Sequence, residues 1–449
     1  MKRIFLLSGF FMMILVSAMA QTMDLSQCIR HALDHNLSMV NRTLETELNN
    51  EQYRQAKRNF LPVVGTGTTA YKQFGRSIDP TTNTFVNEDF FSSNFYLDSQ
   101  IELFKGFSRI NTVKFRKLHY LISNEKARQS EMEVAFAVMN RYYDVIYFKG
   151  LKDIVKEQVG LTELNMHKTL KLIELGLQAE SDLLEIKAQL ASETHQLIQA
   201  INQYEMALLS LKHLMNYPKD KELQIGVVDI HLPGRWIPVL DSVYRTALLN
   251  MPSVRMAEMD VDVSRRNLSL ARAELFPRLV AGGGINTNFA DSRMESINPN
   301  DLSNPAMRTI PFAEQWKQNM SQSLYLSLQI PLFNRWEQMS QIKKAKLERQ
   351  IAINHQQEEQ QNLYQQIVED LQQLESFMNE YEHLNAKTEA LHAAYTIAEK
   401  KLEKGLISVI EFYTAKNQLA QAEADKMRTW LQLQLTENTI RFYKGEKIY

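Results

Sequence analysis

The sequence predicts a mainly helical protein with a strand portion, built as two tandem copies of one unit: helix, strand, strand, long helix, return helix. Three observations carry this expectation. First, the chain repeats itself. Lys57-Arg58-Asn59-Phe60-Leu61-Pro62 matches Arg272-Ala273-Glu274-Leu275-Phe276-Pro277, and Phe95-Tyr96-Leu97-Asp98-Ser99-Gln100-Ile101 matches Leu324-Tyr325-Leu326-Ser327-Leu328-Gln329-Ile330. The offset grows from 215 to 229 between these blocks, so one loop of the second copy holds about 14 extra residues. Second, the 11 prolines are absent before Pro62, between Pro80 and Pro218, and after Pro331, which leaves three stretches free to be uninterrupted helix. Third, period-two alternation in the matched strands gives way to seven-residue spacing in the segments that follow.

Residues 1–20 read as a signal peptide: Lys2 and Arg3, an apolar run from Ile4 to Val16, then small residues at Ala18-Met19-Ala20. Cleavage is expected after Ala20. No later apolar run reaches 18 residues, and the mean hydropathy of -0.33 argues against a bundle of membrane-spanning helices. The exported chain is then either soluble or held in a membrane by strands. A net charge of -1 shows no basic excess, which excludes an ordinary nucleic-acid binder. The single cysteine, Cys28, rules out an intramolecular disulfide and reads as a buried helical residue.

The first structural repeat is placed at 21–230 and the second at 231–449. Each opens with a helix, about 25–60 and 241–276; Leu37, Val40, Leu44 and Leu48 lie at helical spacing. Pro62 and Pro277 end these helices. Strands are expected at about 61–73 and 93–103, and in the copy at about 277–289 and 320–332, with a polar loop from Asn286 to Pro311 between the latter pair. In the alternating strands Phe95, Leu97, Ile101 and Leu103 oppose Asn94, Asp98, Gln100 and Glu102. Leu324, Leu326, Leu328 and Ile330 oppose Ser323, Tyr325, Ser327 and Gln329. Such strands suit a soluble sandwich, which the strands alone favour, or a barrel with lipid outside and water inside. Aromatic residues at the strand ends suit interfacial belts and also ordinary cores.

Long helices are expected at about 105–175 and 334–404; roughly 70 residues extend ~105 Å at 1.5 Å per residue. Gly176 and Gly405 mark the turns into return helices. There Leu183, Leu190, Leu197, Tyr204 and Leu211 recur every seven residues, with Ile186, Ala200, Ala207 and Leu214 between them. The copy keeps Phe412, Leu419, Leu433 and Ile440, with Lys426 breaking the row. The leading and return helices together match the long helix in length. Four strands in one chain cannot close a barrel, and an open sheet in lipid leaves backbone donors unpaired. Closure needs further copies; two, three or four would serve.

The order of these elements resembles the outer-membrane efflux (TolC-like) family. So do Met23-Asp24-Leu25 through His31-Ala32-Leu33, Gln329-Ile330-Pro331-Leu332-Phe333, Lys404-Gly405-Leu406-Ile407-Ser408 and Ala415-Lys416-Asn417-Gln418-Leu419-Ala420. The junction departs from the family pattern: Glu102-Leu103-Phe104-Lys105-Gly106 in the first copy, and Asn334-Arg335-Trp336 for acid-Gly-Gly in the second. The resemblance implies a homotrimer with a 12-stranded outer-membrane barrel continuous with a periplasmic helical barrel. It also implies docking to an inner-membrane pump (RND or ABC type) through a periplasmic adaptor. On this reading Phe95, Leu97, Ile101, Leu103, Leu324, Leu326, Leu328 and Ile330 face lipid, and Asn94, Asp98, Gln100, Glu102, Ser327 and Gln329 face the lumen. Glu411, six residues past Gly405, occupies the place of an acidic residue lining the periplasmic entrance, and Asp182 stands likewise after Gly176. Both also suit the N-terminal turn of a helix, and the sequence favours neither role over the other. His31 and His35 have i,i+4 spacing without a metal motif and read as a solvated face. No catalytic, metal or cofactor site is expected, hence no enzyme. The competing reading is a periplasmic coiled-coil adaptor or structural protein, against which the duplication counts.

Overall fold

The computed structural model describes residues 22–78, 83–87, 89–226, 237–297 and 307–446. The expected signal peptide and the boundary between repeats near 230 lie outside them. In chain order the elements are β1 (Thr22–Met23), α1 (Leu25–His35), α2 (Leu37–Arg58), β2 (Val63–Gln73), β3 (Arg76–Ile78), β4 (Phe85–Asn87), β5 (Phe90–Lys105), α3 (Ser108–Glu174) and α4 (Glu180–Leu214). There follow β6 (Gln224–Ile225), α5 (Leu240–Asn250), α6 (Pro252–Ala273), β7 (Arg278–Ala290), β8 (Met294–Ser296), β9 (Met307–Thr309), α7 (Phe312–Gln318), β10 (Ser321–Gln329), α8 (Glu337–Glu403) and α9 (Val409–Tyr443).

The duplication extends to helix lengths. Both copies use helices of 11, 22, 67 and 35 residues. The expected single leading helix is broken in both, with different causes. At Asn36 the backbone turns extended and the side-chain carbonyl accepts from Ser38 N–H at 2.8 Å, which diverts the helical ladder. At Met251 the residue is extended because Pro252 follows it. The expected polar loop 286–311 is also shorter than foreseen: β7 runs on to Ala290, β8 pairs with β9, and α7 precedes β10.

Two spatial units result, each taking parts of both repeats. One holds the described residues within Met1–Leu44, Glu125–Arg255 and Glu359–Tyr449. Its largest core joins Cys28, Ile29 and Ala32 of α1 to Val138, Met139 and Tyr142 of α3, Leu211 of α4 and Trp430 of α9. A second core joins Val243 and Ala247 of α5 to Ile367 and Leu374 of α8 and Ile440 of α9. The other unit holds Glu45–Asn124 and Met256–Glu358. It contains a four-stranded antiparallel sheet in the order β10-β7-β5-β2, so the hairpins of the two repeats meet along β5 and β7. The outer edges of β2 and β10 have no partner strand among the described residues.

Candidate functional site: sheet faces, helix junction and hairpin tips

Directly paired residues of an antiparallel sheet share a face, so the register sorts the side chains. On one face lie Leu324, Leu326 and Leu328, opposite Gly283, Ala281 and Leu279; across β7 these continue into Ser99, Ile101 and Phe104, with Leu97 and Phe95 above. On the other lie Ser327 and Gln329, then Val280 and Arg278, then Glu102 and Lys105, with Gln100, Asp98 and Asn94 above. Six expected polar positions therefore share one face and six expected apolar positions the other. Two apolar residues stand apart: Leu103 is the extra residue of a bulge between Glu102 and Phe104, and Ile330 lies past the end of β10. The leucine rows of the apolar face are exposed, with Leu324 at 94 %. On the polar face the duplication recurs as a packing pair. The Tyr96 ring lies over Gly67 and the Tyr325 ring over Gly282, so close that a Cβ on either glycine would stand 2.5 Å from a tyrosine atom.

At the helix end of this sheet, Glu102 binds Arg278 Nε at 2.8 Å and Arg109 Nε at 3.3 Å, while Lys105 pairs with Glu274 at 2.6 Å. Glu102, Lys105, Arg109 and Arg278 line a cleft of ≈ 660 Å³ with Gln100 and Val63. Glu102 is thus ion-paired on both sides. The chain turns from β5 into α3 through two left-handed residues, Gly106 (φ 53°) and Phe107 (φ 62°). The copy turns through Arg335 (φ 55°) and Trp336 (φ 65°). Gly106 is required twice over, since a Cβ would also meet the Ala273 carbonyl oxygen at 2.5 Å.

The hairpin tips are two matching Schellman turns. Gly176 N–H bonds the Ile173 carbonyl and Leu177 N–H the Leu172 carbonyl; Gly405 and Leu406 do the same to Leu402 and Lys401. Both glycines are left-handed. Beyond the second turn Ser408 caps α9 in a capping box, accepting from Glu411 N–H at 3.2 Å while Glu411 Oε2 accepts from Ser408 N–H at 3.3 Å. In the first copy Ala179 holds the cap position without a side-chain bond, and the Asp182 carboxylate accepts from Gln178 Nε2 at 3.0 Å. Each acidic residue is thus part of a helix start.

The sequence reading assigned no role to a buried charge cluster in the same unit. Lys416 Nζ donates to Glu193 Oε1 (3.0 Å), Thr162 Oγ1 (2.7 Å) and the Gln158 carbonyl (2.6 Å). Thr162 Oγ1 donates to Glu193 Oε2 at 2.7 Å and Gln189 Nε2 to Oε1 at 2.9 Å. The two charged side chains are 4 % and 1 % exposed. Burial pushes the Lys416 ammonium below its ordinary range, and the bond to Glu193 opposes that shift. The cluster ties α3 and α4 of the first repeat to α9 of the second. A signal was present: Glu193 is the missing member of the row Ile186, Ala200, Ala207, and Lys416 falls at helical spacing from Phe412 and Leu419. His31 also departs from the solvated face expected of it. Its ring stacks on His35 with centroids 4.3 Å apart and tilts against Tyr217 at 5.3 Å.

Residues 28–217 and 243–446 match the family model for outer membrane efflux proteins. The solvent efflux pump outer membrane protein SrpC of Pseudomonas putida is 21% identical over 355 residues, which is 76% of this chain and 67% of that protein. The antibiotic efflux pump outer membrane protein ArpC of Pseudomonas putida is 20% identical over 415 residues, 89% of this chain and 78% of its own. Among solved structures, the Campylobacter jejuni CmeC outer membrane channel superposes with a TM-score of 0.77 at 17% identity, covering 94% of this chain and 85% of that one. The open state of the Neisseria gonorrhoeae MtrE outer membrane channel gives 0.72 at 19% identity, with 94% and 88% covered. Both repeats are matched by the family model and 94% of the chain superposes on the channel structures; the chain belongs to the outer membrane efflux protein family, as an outer-membrane channel component of an efflux system.

Proposed function

We propose that three copies of this chain close a 12-stranded barrel in the outer membrane and form a passive exit duct, served by an inner-membrane pump through a periplasmic adaptor. The observation that carries this is a four-stranded sheet with opposed polar and apolar faces and, among the described residues, no strand paired along either long edge. In hydrocarbon each unpaired backbone group costs several kcal/mol, so β2 of one copy pairs with β10 of the next. Three copies of four strands enclose water, whereas a single sheet cannot. The polar face, with Asn94, Asp98, Gln100, Glu102, Ser327 and Gln329, lines that lumen, and the leucine face meets lipid. Leu37, Val40, Leu44 and Leu48, the stripe that predicted the leading helix, stay exposed in one chain and are covered by a neighbour.

Fractionation tests the assembly. A heat-modifiable species of three chains in the outer membrane is the expected result; a soluble monomer overturns it. Glu411 and Asp182 then stand at the periplasmic entrance. Replacing Glu411 by Gln is expected to weaken cation block of single-channel conductance in planar bilayers, and unchanged block removes it from the gate.

A further inference from the structure

The extra residues of the second repeat build something absent from the described residues of the first. α7 lies on the apolar face of the sheet at the end remote from the helices. Its Phe312 ring sits 5.9 Å from Phe95 and 5.3 Å from Phe289, and Trp316 sits 5.0 Å from Phe95. Phe95 and Phe289 belong by register to the same face as Leu97 and Leu324. The helix is fastened there by polar bonds to β7 and the chain ahead of it. Gln315, fully buried, donates to the carbonyls of Ala290 (2.8 Å) and Ile310 (2.9 Å) and accepts from Ala290 N–H (3.1 Å). Thr287 Oγ1 donates to the Trp316 carbonyl at 2.9 Å, and Asn319 Nδ2 to the Asn288 carbonyl at 2.7 Å. Yet Phe312 and Trp316 remain 46% and 36% exposed. A buried glutamine thus holds two large aromatic rings half out, on a face that is otherwise bare aliphatic.

The spacing along the strand says what covers them. Phe95 and Phe104 stand opposite Thr287 and Leu279 of β7, eight residues apart once the bulge is discounted, which is about 26 Å at ~3.3 Å per residue, or roughly 20 Å along the bilayer normal at a barrel tilt near 40°. Phe104 has its own aromatic partner, Phe107, at 5.4 Å. Aliphatic rows lie between the two aromatic clusters, which stand about as far apart as the two interfaces of a barrel's apolar band. Half-exposed Trp and Phe beside backbone carbonyls and polar side chains suit the boundary between headgroups and acyl chains.

We propose that α7 is an interfacial anchor on the lipid side of the barrel wall, seated in the outer leaflet at the level where acyl chains meet headgroups. One such anchor per copy sets the depth of the barrel in the bilayer. This inference rests on the barrel reading above, and the test separates the two. The full chain is reconstituted in phosphatidylcholine vesicles whose acyl chains carry a nitroxide quencher either near the headgroup or near the chain end. Trp316 emission is taken as the difference between the unmodified chain and Trp316→Phe. A Leu326→Trp variant, read against the unmodified chain, reports the middle of the apolar face. The expected result is stronger quenching of Trp316 by the shallow label than by the deep one, the opposite order for the Leu326→Trp signal, and little quenching of either by aqueous iodide. If iodide quenches Trp316 and neither lipid label does, while the Leu326→Trp signal still responds to the deep label, the anchor is refuted and the barrel stands. Quenching of Trp316 as deep as the Leu326→Trp signal also refutes the anchor. If no lipid label reaches the Leu326→Trp signal, the barrel reading falls and the anchor with it.

Discussion

Lys416 and Glu193 are the residues whose removal should be felt most. Both charges lie out of water, and each satisfies the other's hydrogen-bonding capacity together with Thr162, Gln158 and Gln189. Lys416→Met leaves an uncompensated buried carboxylate and is expected to cost about 3–5 kcal/mol; adding Glu193→Leu should restore most of it. Denaturant unfolding of the four variants of this cycle measures the coupling, and additive losses would refute it. Cys28 presents the opposite case, a group kept inert by its surroundings. Burial, with a smaller contribution from Asp24, pushes its thiol up to about 12. Iodoacetamide at about pH 8 should therefore label the unfolded chain and spare the native one, because the thiolate is the nucleophile. His31 carries a pH dependence. Burial first, and then the adjacent His35, lowers its pKa below 6.5. The folded state then binds fewer protons than the unfolded one, so this contribution is intact above pH 6.5 and lost progressively as pH falls below it, through the lowered pKa of the folded state. His31→Gln should flatten the slope of stability against pH in that window, and an unchanged slope would assign it to other groups.

At the level of elements, the two copies solve the same turns with different residues, which makes each the other's control. The turn into α3 uses a glycine where the turn into α8 uses Arg335, both left-handed. A left-handed non-glycine residue costs roughly 1–2 kcal/mol, so Arg335→Gly is expected to stabilise by about 1 kcal/mol, net of glycine's entropy. Gly106→Ala should do the reverse and lose more, since its Cβ has no room. The caps compare similarly. Ser408→Ala is expected to cost about 1 kcal/mol, and Ala179→Ser to gain a comparable amount, read from thermal unfolding. The helix ends and glycine turns were legible in the sequence because such features are local: a Schellman turn needs one left-handed residue, and Gly176 and Gly405 announce it. The break at Met251 was legible in principle from Pro252. The break at Asn36 was not, because its side chain also donates to the Leu214 carbonyl at 2.8 Å, a partner 178 positions away. α7 escaped for a similar reason. Its seven residues carry too little periodicity to register, and the buried bonds of Gln315 that hold it are tertiary.

For the whole molecule, the number of copies is the quantity to measure. With Cys28→Ser as background, cysteines on both bare edges of one face (Val64, Thr66 or Thr68 in β2 against Leu324, Leu326 or Leu328 in β10) should join copy to copy on oxidation in membranes. Facing positions bring the Cβ atoms within disulfide reach, about 3.5–4.5 Å. The expected ladder ends at three chains. A scan that yields only monomers would remove edge-to-edge closure; a ladder ending elsewhere would keep closure and correct the count.

The succession of long helices and paired strands, the duplication and the two-faced strands could be read from the residues alone, because helical and strand periods, prolines and glycine turns act over a few neighbours. Which faces are paired, and with what, could not. The register of β5 on β7, the bulge at Leu103, the Glu102 ion pairs and the burial of Lys416 against Glu193 join residues from distant parts of the chain. Local patterning says that a side must be covered; only the folded chain decides which distant segment covers it.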